Sequence, residues 1–176
     1  IMVLFTSCQN SKFEREFDCN TPAEYTQTKT FKDVLSHFEI DIPKSWKTEL
    51  YYDEYQSALY SADTTKQLTE TFLLDITIIN QSIKFDRIFK LKQKQESIAK
   101  NLTNIASGET ILINKPAYYS FSKGIKRSYS YQVCHYFINT NTQNFIHVKA
   151  EVYGDSLVNN RLCKAFTLLE KIKLIK

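Results

Sequence analysis

Two histidines in a predicted hairpin are the first candidates for chemistry in this sequence. Segments 127–138 and 145–153 are rich in aromatic and β-branched residues and flank the loop NTNTQ, which predicts two antiparallel strands. If this hairpin turns symmetrically about Asn141, His135 lies opposite His147. Two such imidazoles are able to bind a metal ion, but no carboxylate is fixed beside them, and zinc sites usually have three or four ligands. We expect packing or hydrogen bonding of both histidines, with a metal site as the alternative.

The motifs of common catalytic and nucleotide-binding sites do not occur in the sequence. We find no G-x-S-x-G, H-E-x-x-H, C-x-x-C, Walker or G-x-G-x-x-G pattern. The chain has only three glycines, which argues against a glycine-rich loop around a phosphate. We therefore expect a protein that is not an enzyme and that uses no cofactor.

A predicted helix concentrates the positive charge of the chain. The segment from Lys84 to Lys100 contains six basic and two acidic residues, and its charge of +4 equals the net charge of the whole chain. This total is too small to predict nucleic-acid binding. The candidates to contact an anionic membrane surface or an acidic protein partner are Lys90, Lys92, Lys94 and Lys100. The alternative is that these lysines only solvate an exposed helix face.

The first residues are typical of the end of an export signal. Residues 1–7 (IMVLFTS) are uncharged and mostly apolar, but they are shorter than the roughly 20 residues that span a bilayer and lack a basic n-region. We interpret them as the remnant of a truncated signal peptide. The sequence LFTSC resembles the lipobox of bacterial lipoproteins, which implies lipidation of Cys8. The alternative is a buried strand that ends in an inert cysteine.

Composition and the residues after Cys8 indicate a location. Abundant Lys, Asn, Ile and Tyr, with the context SCQN, resemble lipoproteins of the Bacteroidetes type. The acidic residues that favour surface export in that group are missing from QNSK. The resemblance thus implies a lipid-anchored protein of the bacterial cell envelope that faces the periplasm, with the outer membrane as the expected membrane.

Three further cysteines leave two interpretations open. An exported chain is able to pair two of Cys19, Cys134 and Cys163, whose spacing matches no metal motif. Cys134 and Cys163 lie in a predicted strand and a predicted helix, where a free cysteine behaves as a small hydrophobic residue. Both a disulfide and buried free thiols are compatible with the sequence.

Two segments have the period of amphipathic helices. The first runs from its N-cap Asp86 to about Asn104, and the second follows its N-cap Asp155. The apolar face of the first helix consists of Ile88, Leu91, Ile98, Leu102 and Ile105. The apolar face of the second consists of Val158, Leu162, Ala165, Leu169 and Ile172. Both faces are expected to pack on a sheet.

Alternation of apolar and polar residues predicts the strands of that sheet. Residues 8–30 are polar and read as a lipidated tether, and residues 31–176 form a single domain. A turn is expected at Lys123 and Gly124. The strands are predicted at 38–42, 50–52, 58–62, 71–80, 111–114, 116–122, 127–138 and 145–153. The fold class is therefore α+β, an antiparallel sheet flanked by a helix on each face.

Two stretches of the chain carry a resemblance to a known family. Phe38 to Trp46 (FEIDIPKSW) is similar to the "f-x-i-x-x-P-x-x-W" opening of PsbP-like proteins, and the closing segment LLEKIKLI is similar to the end of that family. The resemblance covers roughly Phe31 to Lys176. It implies an α/β/α sandwich, as in extrinsic photosystem proteins, a Ran-binding import factor and DcrB-type bacterial lipoproteins.

These observations together favour a non-enzymatic envelope protein. We expect a membrane anchor at Cys8, an envelope protein as partner, and a role in docking or in supporting an assembly. The alternative is a module that binds a small molecule or metal, either in a pocket between sheet and helix or at the pair His135 and His147.

Overall fold

The computed structural model describes residues 17–19 and 23–175. This part of the chain forms ten strands and two helices. The strands are β1 (Thr28–Lys32), β2 (Phe38–Pro43), β3 (Lys47–Tyr52), β4 (Gln56–Ala62), β5 (Leu73–Ile79), β6 (Thr103–Leu112), β7 (Lys115–Lys126), β8 (Tyr129–Asn139), β9 (Phe145–Tyr153) and β10 (Lys173–Leu174). The helices are α1 (Arg87–Ala99) and α2 (Val158–Leu169). No helix in this part is long and apolar enough to cross a membrane.

The strands form two antiparallel sheets. The large sheet has the order β3-β4-β5-β9-β8-β7-β6, and the small sheet has the order β1-β2-β10. The alternating pattern of β2 is confirmed, since Phe38, Ile40 and Ile42 are buried. Its expected place in one sheet with the other predicted strands is wrong. β2 is instead the middle strand of the small sheet, because β10 pairs with it from the end of the chain.

The main core lies between the large sheet, the small sheet and α2. The predicted face of α2 is confirmed, because Leu162, Ala165 and Leu169 are buried in this core. Asp155 is not the N-cap as predicted: the cap position is Leu157, in a left-handed conformation with no side-chain hydrogen bond to the helix. The closing segment is also not helical to its end, since Lys173–Leu174 forms β10.

Helix α1 packs against the large sheet with a different face from the predicted one. Its N-cap is confirmed, since the Asp86 carboxylate accepts the backbone N–H of Phe89 at 2.9 Å. The side chains of Ile88, Leu91 and Ile98, expected against the sheet, are 77%, 48% and 61% exposed. Phe89 points to the sheet instead, and its ring lies 5.0 Å from that of Phe137.

The predicted end of this helix is also wrong. α1 ends at Ala99, and Asn101 follows with φ of 56°, a left-handed conformation that stops the helix. β6 begins at Thr103, so Ile105 belongs to a strand, where it is exposed. Leu102 is buried in a small cluster with Tyr131. The five apolar residues thus do not form one helical face.

Two hairpins in the large sheet close with two-residue turns, and one of these turns lies at another place than expected. Ile113 and Asn114 have φ of 49° and 58°, and Arg127 and Ser128 have φ of 51° and 68°, as two-residue hairpin loops require. The turn predicted at Lys123 and Gly124 is therefore wrong. Gly124 lies within β7, where a Cβ atom would come within 2.8 Å of the carbonyl oxygen of Asn101. Glycine permits this close backbone approach.

Parts of the predicted tether pack on the domain. Phe17 is buried, with its ring edge-on to that of Phe121 at 4.8 Å, and the Tyr25 hydroxyl donates to the Lys164 carbonyl at 3.0 Å. Cys19 forms a disulfide with Cys163, which decides between the two interpretations of these cysteines. The signal remnant, Cys8 and the first half of the tether lie outside the described residues and stay predictions.

Candidate functional site

Exposed tyrosines collect at one edge of the large sheet. Tyr51, Tyr52, Tyr55 and Tyr60 come from β3, β4 and the turn between them, and their exposed fractions are 42–67%. The rings of Tyr51 and Tyr60 meet edge-on at 5.4 Å. We call these four residues the tyrosine edge. β3 is the terminal strand of this sheet, so its outer backbone groups point away from the ladder with β4.

A groove of about 530 Å³ runs along the tyrosine edge, and acidic groups line it. The Glu49 carboxylate accepts hydrogen bonds from Lys47 at 2.7 Å and from the Tyr51 hydroxyl at 2.5 Å. The bond from Lys47, followed by that from Tyr51, holds the pKa of Glu49 below its usual value. Asp53 accepts the backbone N–H groups of Tyr55 and Gln56 and so shapes the turn. The groove therefore combines two carboxylate side chains with aromatic rings.

The histidine pair comes together through another register than the predicted one. His147 pairs with Phe137 and His135 pairs with Lys149, a shift of two residues from the symmetric turn about Asn141. The last pair of the hairpin is Asn139 with Phe145, so the loop is residues 140–144, one position later than predicted and of the same length. The Asn141 side chain accepts the N–H groups of Gln143 and Asn144 and so stabilises this loop. A two-residue shift keeps side chains on the same face.

The two histidines are diagonal neighbours that hydrogen bond to each other. Nδ1 of His135 lies 2.9 Å from Nε2 of His147, and the ring of His147 stacks on that of Phe137 at 4.5 Å. Burial, and then the charge of nearby Lys100, lowers the pKa of His135 to about 4. Burial, and then His135, lowers the pKa of His147 to about 3. Both rings are neutral at neutral pH, so one nitrogen donates and the other accepts.

A pocket of about 340 Å³ between α1 and the sheet contains this pair. Its walls include the rings of Phe89, Phe137 and Phe145. Its charged residues are Lys84, Lys92, Lys100 and Glu96, so cationic groups are in excess. We call it the histidine pocket. Within the described residues, no group of three or more metal-binding side chains comes together. The pocket therefore suits an apolar molecule with an anionic group better than a metal ion.

The four lysines singled out in the sequence do not form one surface. Lys90 pairs with Glu109 at 2.5 Å, and Lys92 lies 4.0 Å from Glu96. Lys92 and Lys100 line the histidine pocket, and Lys94 lines a separate groove between α1 and β6. Residues two positions apart point to nearly opposite sides of a helix, so Lys92 is separated from Lys90 and Lys94, which both line the groove between α1 and β6.

A buried ionic network on the same sheet face was not predicted from the sequence. The Glu151 carboxylate accepts from the Tyr131 hydroxyl at 2.6 Å and from Lys126 at 2.8 Å, and Lys149 bridges it to Asp75. Burial acts to raise the pKa of Glu151, but the bonds from Lys126 and Tyr131 hold it below its usual value. The available signal was Lys149 and Glu151 at alternate positions of β9, with Asp75 as the one charged residue of β5. In this network the positive charges of Lys126 and Lys149 neutralise the negative charges of Glu151 and Asp75 on a sheet face that is only partly covered.

Comparison with known proteins identifies similar structures only. No family model matches the sequence, and no curated protein matches it. The solution structure of cyanobacterial PsbP (CyanoP) from Synechocystis sp. PCC 6803 has a TM-score of 0.57 at 10% identity, over 88% of this chain and 96% of that one. The Ran-binding protein Mog1p of Saccharomyces cerevisiae has a TM-score of 0.53 at 6% identity, over 85% and 96%.

A Bacteroides thetaiotaomicron protein is similar over a part of its length. Its TM-score is 0.54 at 12% identity, and the match covers 86% of this chain. This chain spans 50% of that protein. At such low identities these three likenesses establish the fold and no activity.

Proposed function

We propose that this chain, a domain with the PsbP-like fold, is a non-enzymatic protein-docking module held in the bacterial cell envelope by a lipid on Cys8. The observation that carries the docking role is the tyrosine edge. Tyrosine is enriched at protein interfaces because its ring buries a large area while its hydroxyl still finds hydrogen bonds. Mog1p, which has a similar fold, is named for binding the protein Ran. A protein with this architecture is therefore able to bind another protein, which supports the proposed docking role.

We also propose the finer architecture, a three-layer sandwich with one helix on each face of the large sheet. Its support is the set of ring contacts made by two neighbouring residues of β8. Phe137 lies 5.0 Å from Phe89 of α1, and Tyr136 lies 5.9 Å from Phe166 of α2. Successive residues of a strand point to opposite faces.

The partner is expected to bind along β3. A terminal strand offers its outer N–H and C=O groups to an added strand, and side-chain pockets then select the partner. The groove supplies Tyr51 and Tyr60 for stacking, with Glu49 and Asp53 for cationic residues of the partner. We infer an extended segment with basic and aromatic or aliphatic side chains.

Site-specific photo-crosslinking in intact cells tests this docking role. A crosslinker at position 52 or 55 is expected to capture one partner, and the double variant Tyr51→Ala/Tyr60→Ala is expected to abolish capture from position 55. Tyr129→Ala is the matched control, since Tyr129 is 43% exposed and lies at the start of β8. The proposed docking site is refuted if the double variant Tyr51→Ala/Tyr60→Ala captures the partner as well as the control Tyr129→Ala does. It is also refuted if a crosslinker at position 129 captures the same partner as well as one at position 52 or 55.

The lipid anchor is the second part of the proposal. The disulfide between Cys19 and Cys163 supports export, because disulfides persist in oxidising compartments such as the periplasm. We place the domain on the periplasmic side, with the outer membrane as its membrane and the residues after Cys8 as its tether.

Metabolic labelling with a fatty-acid analogue tests the anchor. The full-length precursor with its native signal is expected to incorporate the label and to stay in the membrane fraction after a high-salt wash. Cys8→Ser is expected to lose both properties, whereas Cys134→Ala is expected to keep them. Label and salt-resistant membrane fraction in the Cys8→Ser protein would refute the anchor.

The alternative function, binding of a small molecule, rests on the histidine pocket. Its aromatic walls and bordering lysines favour an anionic aromatic ligand. The probe is 8-anilinonaphthalene-1-sulfonate, whose fluorescence is expected to rise with a stoichiometry of one and to fall in Phe137→Ala. Stoichiometric binding of Zn²⁺ by the parent protein, lost in His147→Gln, would instead favour the metal form. Absence of both responses would contradict this alternative.

A further inference from the structure

Helix α1 exposes a stripe of apolar side chains to solvent. We call Ile88, Leu91 and Ile98 the outer stripe. At 100° per residue these side chains fall within one quarter of the helix circumference, with Gln95 between them. The opposite side of the helix carries Phe89, Gln93 and Ser97, whose side chains are at least partly buried against the sheet. The outer stripe therefore contributes nothing to the core.

Cationic side chains border this stripe on both sides. By the same helical geometry, Arg87 and Lys94 lie along one flank and Lys92 along the other. All three are exposed. Lys90, which pairs with Glu109, lines the groove between α1 and β6 together with Arg87 and Lys94. Lys92 lies 4.0 Å from Glu96. The outer surface of α1 thus has an aliphatic centre with basic margins.

We infer that α1 lies flat on an anionic phospholipid bilayer, with the outer stripe inserted at the level of the headgroups. Aliphatic side chains in the centre match the acyl chains, and lysine and arginine at the margins reach the phosphates with their charged ends while their stems remain in apolar surroundings. The charge of +4 on the segment from Lys84 to Lys100 is complementary to such a surface.

The composition of the outer stripe favours a bilayer over a protein partner. Stable protein interfaces bury a patch of about 800 Å² on each partner and are enriched in aromatic residues at their centre. The outer stripe offers three aliphatic side chains and no aromatic one. The tyrosine edge has the opposite composition.

The proposed membrane contact and the tyrosine edge lie on different strands of the large sheet. α1 packs over β7 and β8, where Phe89 contacts Tyr118 and Phe137, whereas the tyrosine edge lies on β3 and β4 at the far end of the sheet. The inference does not depend on the lipid at Cys8 or on the docking role, since it rests on α1 alone.

Sedimentation with vesicles tests this inference in the full chain carrying Cys8→Ser, so that no acyl chain contributes. This protein is expected to bind phosphatidylcholine vesicles containing phosphatidylglycerol at low salt, and to bind pure phosphatidylcholine at least tenfold more weakly. The triple variant Ile88→Ser/Leu91→Ser/Ile98→Ser is expected to bind the anionic vesicles at least tenfold more weakly. Arg87→Glu/Lys94→Glu is expected to lose the salt-sensitive part of binding.

The matched control changes two apolar residues on another part of the surface. Val34 and Leu35, each 42% exposed in the loop between β1 and β2, are replaced by serine, and this variant is expected to bind like the parent. Unchanged far-ultraviolet circular dichroism and Trp46 fluorescence show that each variant is folded.

Two results would overturn the inference. One is a parent protein that does not bind anionic vesicles, and the other is a triple variant that binds them as the parent does. If the parent binds no vesicles but dimerises in gel filtration, and the triple variant is monomeric, the outer stripe is instead a contact between copies.

Discussion

Removal of the disulfide between Cys19 and Cys163 is expected to lower the free energy of unfolding by about 2–5 kcal/mol. The bridge joins residues 144 positions apart, so it closes nearly the whole described chain into one loop. The loop-closure model gives about 5 kcal/mol at 25 °C for a loop of this length, and measured effects are typically about 2–4 kcal/mol. The loop is long because the bridge ties the N-terminal segment to α2.

Native contacts around the bridge are expected to limit the loss of unfolding free energy to the lower part of this range. Phe17, two residues before Cys19, is buried against the core, and the Tyr25 hydroxyl donates to Lys164, next to Cys163. These contacts hold the segment in place without the covalent bond. We therefore expect a folded but less stable domain, with a melting temperature lower by roughly 5–15 °C.

Urea denaturation of the double variant Cys19→Ala/Cys163→Ala measures this effect, with Trp46 fluorescence and circular dichroism as probes. Trp46 reports on the core because its ring packs edge-on against Phe72 at 5.1 Å. Dithiothreitol is expected to destabilise the parent to the level of the double variant and to leave the double variant unchanged. Cys134→Ala, which keeps the bridge, is expected to remain sensitive to dithiothreitol.

Two results would refute the reasoning. One is a double variant within about 0.5 kcal/mol of the parent, the range of an ordinary surface substitution. The other is a double variant that dithiothreitol destabilises further.

Three further predictions concern buried polar groups. Because the folded pKa values of His135 and His147 (about 4 and 3) lie below the unfolded value of 6.5, their contribution to stability is complete above pH 6.5 and is lost as pH falls. We expect the free energy of unfolding to fall by about 1.4 kcal/mol per pH unit for each histidine between pH 6.5 and about 4. Urea titrations at pH 7, 6 and 5 measure this fall, which should be smaller in the variant His135→Phe/His147→Phe. Arg161 is buried and donates to the carbonyls of Thr71 and Tyr153, each at 2.9 Å. Arg161→Met is therefore expected to lower the free energy of unfolding, measured with urea, by about 3 kcal/mol or more. The control Arg87→Met, at an exposed position, is expected to lower it by less than about 0.5 kcal/mol. The buried Asp33 carboxylate accepts the N–H groups of Leu35, His37 and Phe38. Asp33→Ala is therefore expected to lower the free energy of unfolding by about 2–3 kcal/mol and to lower the melting temperature. An unchanged melting temperature would contradict this role.

The sequence alone determined the elements whose pattern is strictly local. Alternation in β2 and β5 and the three- and four-residue spacing in α2 each describe one buried face, and the structure buries those faces. Asp86 was recognised as an N-cap because its partner is three residues away. The fold resemblance also came from such local stretches.

Only the tertiary structure decided how these elements meet. The pairing of β2 with β10 and the bridge from Cys19 to Cys163 join residues more than 130 positions apart, and no local pattern encodes such distances. The register of the hairpin differed because its loop lies one residue later than predicted, where the Asn141 side chain accepts the N–H groups of Gln143 and Asn144.

Helix α1 shows the physical reason most clearly. Its sequence offers two apolar faces, one with Ile88, Leu91 and Ile98 and one with Phe89. The periodicity of the sequence favours the first face because it contains more apolar residues. The structure buries the second face, since the Phe89 ring contacts the rings of Tyr118 and Phe137 on the sheet. The face that a helix buries is decided by the complementarity of the surface it meets, and that surface exists only after distant strands have paired.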